Sequence, residues 1–168
     1  MTRIGLISDT HNFFDPRFYE LFGNVDEIWH AGDIGDVAVL DAMANFKPYK
    51  AVFGNIDATS IRCQLTPHLR FKCEAVDVWI THIGGYPGKY APGISEVMKV
   101  DAPGLFVCGH SHILKVIYDK KYDCLHMNPG ACGLSGFHQV RTALRFAIDG
   151  EVIKDLEVIE LGARSSKL

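Results

Sequence analysis

The sequence has 168 residues, 48% of them hydrophobic and 22% charged, with a formal net charge of −3. That balance excludes a disordered chain, which needs low hydropathy and high net charge. Acids and bases are interspersed without a basic stripe, so nucleic acid is excluded as an extended partner and enters only as a nucleotide-sized substrate. The length favours one domain over residues 1–168.

Arg3–Ser8 is a short apolar run that reads as a buried strand ending in Asp9-Thr10-His11-Asn12. Asp15-Pro16 looks like a helix start, with Phe18, Leu21 and Phe22 at helical spacing. Glu27–His30 is a second strand, ending at Ala31-Gly32-Asp33, and Asp36 is the expected N-cap of a helix carrying Val37, Leu40, Met43 and Ala44. Tyr49–Phe53 is a third strand, closed by Gly54-Asn55. Strands alternating with helices predict parallel pairing and an α/β first half.

After residue 68 the pattern changes. Leu69–Cys73 and Val76–Thr81 read as a hairpin, residues 83–92 as a Gly/Pro/Tyr-rich loop, and residues 94–98 as a short helix. Leu105–Cys108 is a strand leading into Gly109-His110-Ser111-His112. Strands are then expected at 114–118, 122–126, 140–148 and 152–161, the last two joined at the turn signal Asp149-Gly150.

Five cysteines (Cys63, Cys73, Cys108, Cys124 and Cys132) are scattered without a CxxC pair, and no N-terminal signal segment is visible. Both features predict a reduced, cytoplasmic protein with buried, inert thiols. No apolar stretch reaches the roughly 20 residues that span a bilayer, so no membrane partner is expected. Ser166-Lys167-Leu168 matches a peroxisomal address and is read as a chance match unless the source is eukaryotic.

Five strand ends each deliver a polar group: Asp9-x-His11, Gly32-Asp33, Gly54-Asn55, His82 and His110-x-His112. Ligands of open α/β sheets bind outside the carboxyl ends of strands. Residues at i and i+2 of an extended segment point the same way, so Asp9 with His11, and His110 with His112, are each expected to aim at one point. So many O and N donors are too many for one small ion. They suit two divalent metals about 3.5–4 Å apart, bridged by an aspartate. Imidazole with carboxylate and no thiolate favours Mn, with Fe, Ni or Zn as alternatives, over Ca or a structural zinc. Glycines beside Asp33, Asn55 and His110 are expected to serve positive φ angles and close approach.

In this order the blocks Asp9-Thr10-His11, Gly32-Asp33, Gly54-Asn55, His82, Gly109-His110-Ser111-His112 and Asn128-Pro129-Gly130 resemble the calcineurin-like metallophosphoesterases, in particular the small YfcE-type phosphodiesterases. The resemblance covers nearly the whole chain. It implies an α/β (α+β) four-layer αββα sandwich, two mixed sheets flanked by helices. It also implies a division of ligands: Asp9, His11 and His112 on one metal, Asn55, His82 and His110 on the other, and Asp33 bridging. The implied activity is hydrolysis of a small phosphate ester by water acidified at the two ions, with Asp33, Asn55 and His82 at the reacting centre and no covalent nucleophile.

The chain departs from the family in two places. Ile56 stands where many members carry a histidine that protonates the leaving group, which favours esters with good leaving groups unless Asp57 supplies the proton. Val37 and Ala38 stand where protein phosphatases carry Arg-Gly, which weakens a phosphoprotein reading. Ala131 replaces the serine that often follows Asn-Pro-Gly, with little expected consequence. His30 is read as a packed supporting group, and His68, His126 and His138 as ordinary histidines. The Gly84–Tyr90 loop either lines the substrate cleft, through Tyr86 or Lys89, or is a solvated connection. A phosphomonoesterase and a non-enzymatic scaffold of the Vps29 type remain as alternatives, and a homo-oligomer stays open.

Overall fold

The structure, a computed structural model, describes residues 1–164, so the Ser166-Lys167-Leu168 match lies outside the described residues. The first half runs β1 (Thr2–Ile7), α1 (Phe18–Leu21), β2 (Glu27–His30), α2 (Val37–Phe46), β3 (Tyr49–Ala51) and α3 (Thr59–Arg62). Then follow β4 (His68–Cys73), β5 (Val76–Thr81), β6 (Gly85–Tyr86), β7 (Lys89–Tyr90), α4 (Ile94–Asp101) and β8 (Leu105–Val107). The chain ends with β9 (Leu114–Asp119), β10 (Cys124–Pro129), β11 (Val140–Asp149) and β12 (Val152–Ala163).

Two five-stranded mixed sheets result, ordered β12-β11-β1-β2-β3 and β4-β5-β8-β10-β9. β1, β2 and β3 run parallel, as do β5, β8 and β10, and the hairpin partners are antiparallel. The period-2 alternation of each strand explains the layers. Ile4, Leu6, Trp29, Leu144 and Phe146 of the first sheet meet Val78, Ile80, Leu105, Val107 and Met127 of the second in one buried cluster. The intervening residues face outward: Ile7 and Ile28 pack on Phe18, Leu40 and Met43, while Trp79 and Phe106 pack on Ile94 and Met98. This is the four-layer αββα sandwich expected. Each fully buried aliphatic or aromatic side chain contributes about 1.5–3 kcal/mol, so the two-sided sheets carry most of the fold's stability.

Local signals hold where chemistry enforces them. Asp36 caps α2 by accepting from the Ala38 amide at 2.9 Å. Asp149 pairs with Val152 across the tight turn, where Gly150 takes φ 59°. Other expectations need correction. The helix after Asp15-Pro16 lasts only from Phe18 to Leu21, and Phe22 leaves helical geometry ahead of Gly23. The strand expected from Tyr122 starts at Cys124, because Asp119 accepts from the Lys121 amide and holds residues 119–122 in a turn. The loop at 83–92 contains the small hairpin β6–β7, and α3 follows the Gly54-Asn55 turn. Among the described residues no helix is long and apolar enough to cross a membrane.

The parallel strands of both sheets end at the same rim. There the loops after β1, β2, β3, β5 and β8 converge, with the end of β10 behind them.

Candidate metal centre

Asp9 lies just past β1, fully buried. Its Oδ2 is occupied, accepting from Ser8 Oγ at 2.6 Å and from the His110 amide at 3.1 Å. Its Oδ1 has no hydrogen-bond partner, yet stands 3.1 Å from His112 Nε2, 3.8 Å from His11 Nε2 and 3.9 Å from His82 Nε2. Asp33, past β2, sends Oδ1 to His82 Nε2 at 3.2 Å and Oδ2 to His11 Nε2 at 3.5 Å. Two groups of donors follow, Asp9 with His11 and His112, and Asp33 with His82 and His110, the atoms in each within 4.8 Å of one another. Asp33 faces both groups, one oxygen toward each.

Atoms that share an ion about 2.0–2.2 Å away lie roughly 3 Å or more apart. The observed spacings fit that arrangement better than a set of hydrogen bonds, since Asp9 Oδ1, His11 Nε2 and His82 Nε2 are buried without a partner. Burying such groups unpaired is costly. Two divalent cations at this place would satisfy all three.

The imidazoles are held in the form that ligates. His82 Nδ1 lies 2.7 Å from the Ala31 carbonyl; a carbonyl only accepts, so Nδ1 carries the proton and Nε2 the lone pair. A longer relay fixes His112. His138 Nε2 donates to the Gly133 carbonyl at 2.9 Å, which makes His138 Nδ1 an acceptor. His112 Nδ1 lies 3.1 Å from it and must donate, so His112 Nε2 is left bare toward Asp9. His138, read from sequence as ordinary, thus supports a candidate ligand; a lone histidine 26 positions downstream gives no local signal of this.

Charge pairing tunes the acids and bases together. Burial alone would raise Asp9, but His11 and His112 hold its carboxyl well below the usual carboxylate range. Asp33 is likewise lowered, His82 outweighing its burial. His11 is raised, first by its contact with Asp9. His82 is raised because Asp33 and Asp9 outweigh burial. Both shifts have the same cause: carboxylates that draw positive charge to this place.

His30 is the packed support anticipated. Fully buried, it accepts from the Gly32 amide at Nδ1 and faces Thr10 Oγ1 at 3.0 Å, while Thr10 donates to the Ile34 carbonyl. Burial pushes its pKa down to about 4, so it stays neutral. Asn128 braces the His110-Ser111-His112 loop by donating to the Gly109 carbonyl and to Ser111 Oγ.

Three expectations change. Asp9 and His11, like His110 and His112, are not extended pairs: all four residues, with Asp33, have φ between 45° and 69°. The extended geometry does not hold there: Asp9 and His11 still converge in one group, but His110 and His112 divide between the two. Left-handed backbone at so many non-glycine residues stores strain where donors must converge. Second, Gly54 and Gly109 serve close approach rather than positive φ. A Cβ on Gly54 would lie 2.0 Å from Asp33 Oδ1, and one on Gly109 2.0 Å from Ser8 Oγ. Third, Asp57 is no proton donor to a leaving group. Its buried carboxylate accepts from the amides of Ile34, Gly35 and Gly54, clamping the Gly-Asp loop to the Gly-Asn loop.

Asn55 is exposed on that clamped loop, whose Ile56 amide donates to Asp33 Oδ1 at 3.1 Å. Arg62 reaches back to the carbonyls of Asp57 and Asn55, straps the loop and brings a cation to its edge. Sequence reading missed Arg62, which comes from α3 rather than from the position after Gly-Asp.

A family model described as calcineurin-like phosphoesterase superfamily domain matches residues 2–151. A probable metallophosphoesterase of Methanocaldococcus jannaschii is 31% identical over 137 residues, 76% of this chain and 67% of that protein. Among solved structures, an archaeal phosphodiesterase superposes with a TM-score of 0.75 at 21% identity, over 95% of this chain and 99% of that one. Chaetomium thermophilum Vps29 gives 0.73 at 16% identity, over 96% and 97%. At those identities the two structures attest the fold.

Proposed function

The chain belongs to the calcineurin-like phosphoesterase superfamily, and from that premise we propose that it is a phosphodiesterase working with two divalent metal ions, Mn foremost. Membership makes it a metal-dependent hydrolase of phosphoester bonds. One observation carries the finer reading: the buried, unpartnered Asp9 Oδ1, His11 Nε2 and His82 Nε2 converge with Asp33 between them. In this reading Asp9, His11 and His112 hold one ion, Asn55, His82 and His110 the other, and Asp33 joins both. When bound, such a pair supplies Lewis acidity to the phosphoryl oxygens and makes water available as a nucleophile near neutral pH.

The protein's own part is positioning. The Ala31 carbonyl and His138 orient His82 and His112 so that Nε2 of each faces the centre. Ser8 and the His110 amide fix Asp9 so that only Oδ1 is available. The Asp57 clamp sets Asn55, whose amide NH₂ is suited to donate to a phosphate oxygen. With Ile56 beside it and Asp57 spent on backbone amides, neither residue after Asn55 offers the leaving group a proton, which favours esters whose leaving group departs as an anion. The substrate is accordingly small and activated. All five cysteines are free, which supports the reducing cytoplasm as the working compartment.

The test is hydrolysis of bis(p-nitrophenyl) phosphate and p-nitrophenyl phosphate by metal-stripped protein reconstituted with Mn, Ni, Zn or Mg, with Asp33→Asn as the blank. Metal-dependent release that favours the diester and collapses in the variant is expected. Faster monoester turnover would replace the reading with a phosphomonoesterase. Bound metal without hydrolysis of either ester would replace it with a scaffold of the Vps29 kind.

A further inference from the structure

Two cavities open beside the Asp33–His82–His110 group, and a single wall of Ile83, Ala91 and Pro92 separates them. The first, about 300 Å³, borders His110 and is walled by Ile83, Gly84, Tyr86, Ile113 and Lys115. The second, about 450 Å³, borders His82 and Asn55 and is walled by Phe53, Arg62, His68 and Ile94. The apolar side chains around the first are left in water: Ile83 is 45% exposed, Ile113 61% and Tyr86 42%. Each cavity also carries a cation over an aromatic ring, Lys115 Nζ 4.0 Å from the Tyr86 centroid and Arg62 4.7 Å from that of Phe53. The local cations stand out on a chain of net charge −3.

A phosphorus atom held at the metal centre would therefore face two separate recesses. A monoester has one organic arm and fills one of them; a diester has two. We propose that the substrate is a phosphodiester whose two organic arms occupy the two cavities, with an apolar or aromatic arm lying between Tyr86 and Ile113 in the first. The proposal rests on the phosphodiesterase reading above and extends it to the shape of the substrate. Ile83, which follows the candidate ligand His82 directly, divides the arms and ties their placement to the metal centre. The Gly84–Tyr90 hairpin is then a cleft wall rather than a plain connection.

The test is binding first, so that it does not depend on turnover. Zinc-loaded protein with ¹³C-labelled isoleucine methyl groups is titrated with diphenyl phosphate and with phenyl phosphate. Diphenyl phosphate is expected to shift Ile113 together with Ile94, and phenyl phosphate only one of the two, while Ile83 on the shared wall responds to either ester. Alongside, Tyr86→Ala is expected to weaken binding of diphenyl phosphate about tenfold and that of dimethyl phosphate, which has no aromatic arm, less than about twofold. The same one of Ile113 and Ile94 moved by both phenyl esters would overturn the proposal, as would an equal loss of affinity for diphenyl and dimethyl phosphate. Shifts in both cavities without hydrolysis of any ester under any metal would instead overturn the phosphodiesterase reading and leave the two-armed site standing.

Discussion

Two buried acidic centres lie a few residues apart in the chain and are completed in opposite ways. Asp15 is buried and fully paired: Oδ1 accepts from the Arg17 amide and Nε, and Oδ2 from Arg17 Nη2 at 2.6 Å and Arg141 Nη2 at 2.7 Å. Arg141 is itself buried and also donates to the Cys132 carbonyl. Burial would raise the Asp15 carboxyl, but the two arginines hold it well below its ordinary range. Asp9 and Asp33 are surrounded by imidazoles that stop short of them, with Asp9 Oδ1, His11 Nε2 and His82 Nε2 unpartnered. The first centre is finished by the protein and staples the loop after β1 to β11. The second is left open, with donor atoms in place for a cation. A buried charge that the chain itself satisfies is structure; one it leaves open is a site.

The sharpest way to break that contrast is Asp33→Asn. With metal present it should lose at least about 10³-fold in kcat/KM on a diester. Metal-free, it should lose far less in urea unfolding than Asp15→Ala, because Asp33 has only the Ile56 amide and the neighbouring imidazoles as partners and no arginine. Parallel loss of stability in chelator would make Asp33 a structural acid like Asp15. The converse variant, Asp15→Ala, should cost about 3–5 kcal/mol in urea unfolding with or without metal, since it strands the buried Arg141 guanidinium. Arg17 is half-exposed and adds little to that figure.

A pH measurement separates the supporting shell from both. His30 is buried neutral with its pKa lowered to about 4. In the unfolded chain it takes a proton near pH 6.5. Its contribution is therefore complete above about pH 6.5 and declines as pH falls toward 4. The stability advantage of wild type over His30→Gln should shrink by about 3 kcal/mol across that window. A constant difference would mean that His30 is not held neutral. The smallest effect belongs to the relay: His138→Asn should weaken metal binding about 10–100-fold, read as a dissociation constant, by releasing the His112 tautomer. Unchanged affinity would reduce His138 to packing.

Most of the fold was legible because strand alternation and strand-end motifs are local. Ile4/Leu6, Val78/Ile80 and Leu105/Val107 announce one buried face, and Ile7, Trp79 and Phe106 the other. The donor set was legible for the same reason, each polar block following an apolar run. What sequence could not show was conformation and long-range pairing. The left-handed φ of Asp9, His11, His110 and His112 depends on neighbouring loops, so the i, i+2 geometry misassigned which imidazoles act together. His138, Arg62 and Asp57 acquire their roles only through contacts formed in the folded chain. A lone histidine, a surface arginine and an acid after Gly-Asn-Ile carry no periodic signal.

The central claim is that the open acidic centre holds two cations. Equilibrium dialysis of metal-stripped protein against Mn²⁺, read by elemental analysis, tests it directly. Two ions per chain in the wild type and in Asp15→Ala that remains folded, with at most one in Asp33→Asn, is the predicted result. No bound metal in the wild type, or the same stoichiometry in Asp33→Asn, would contradict it.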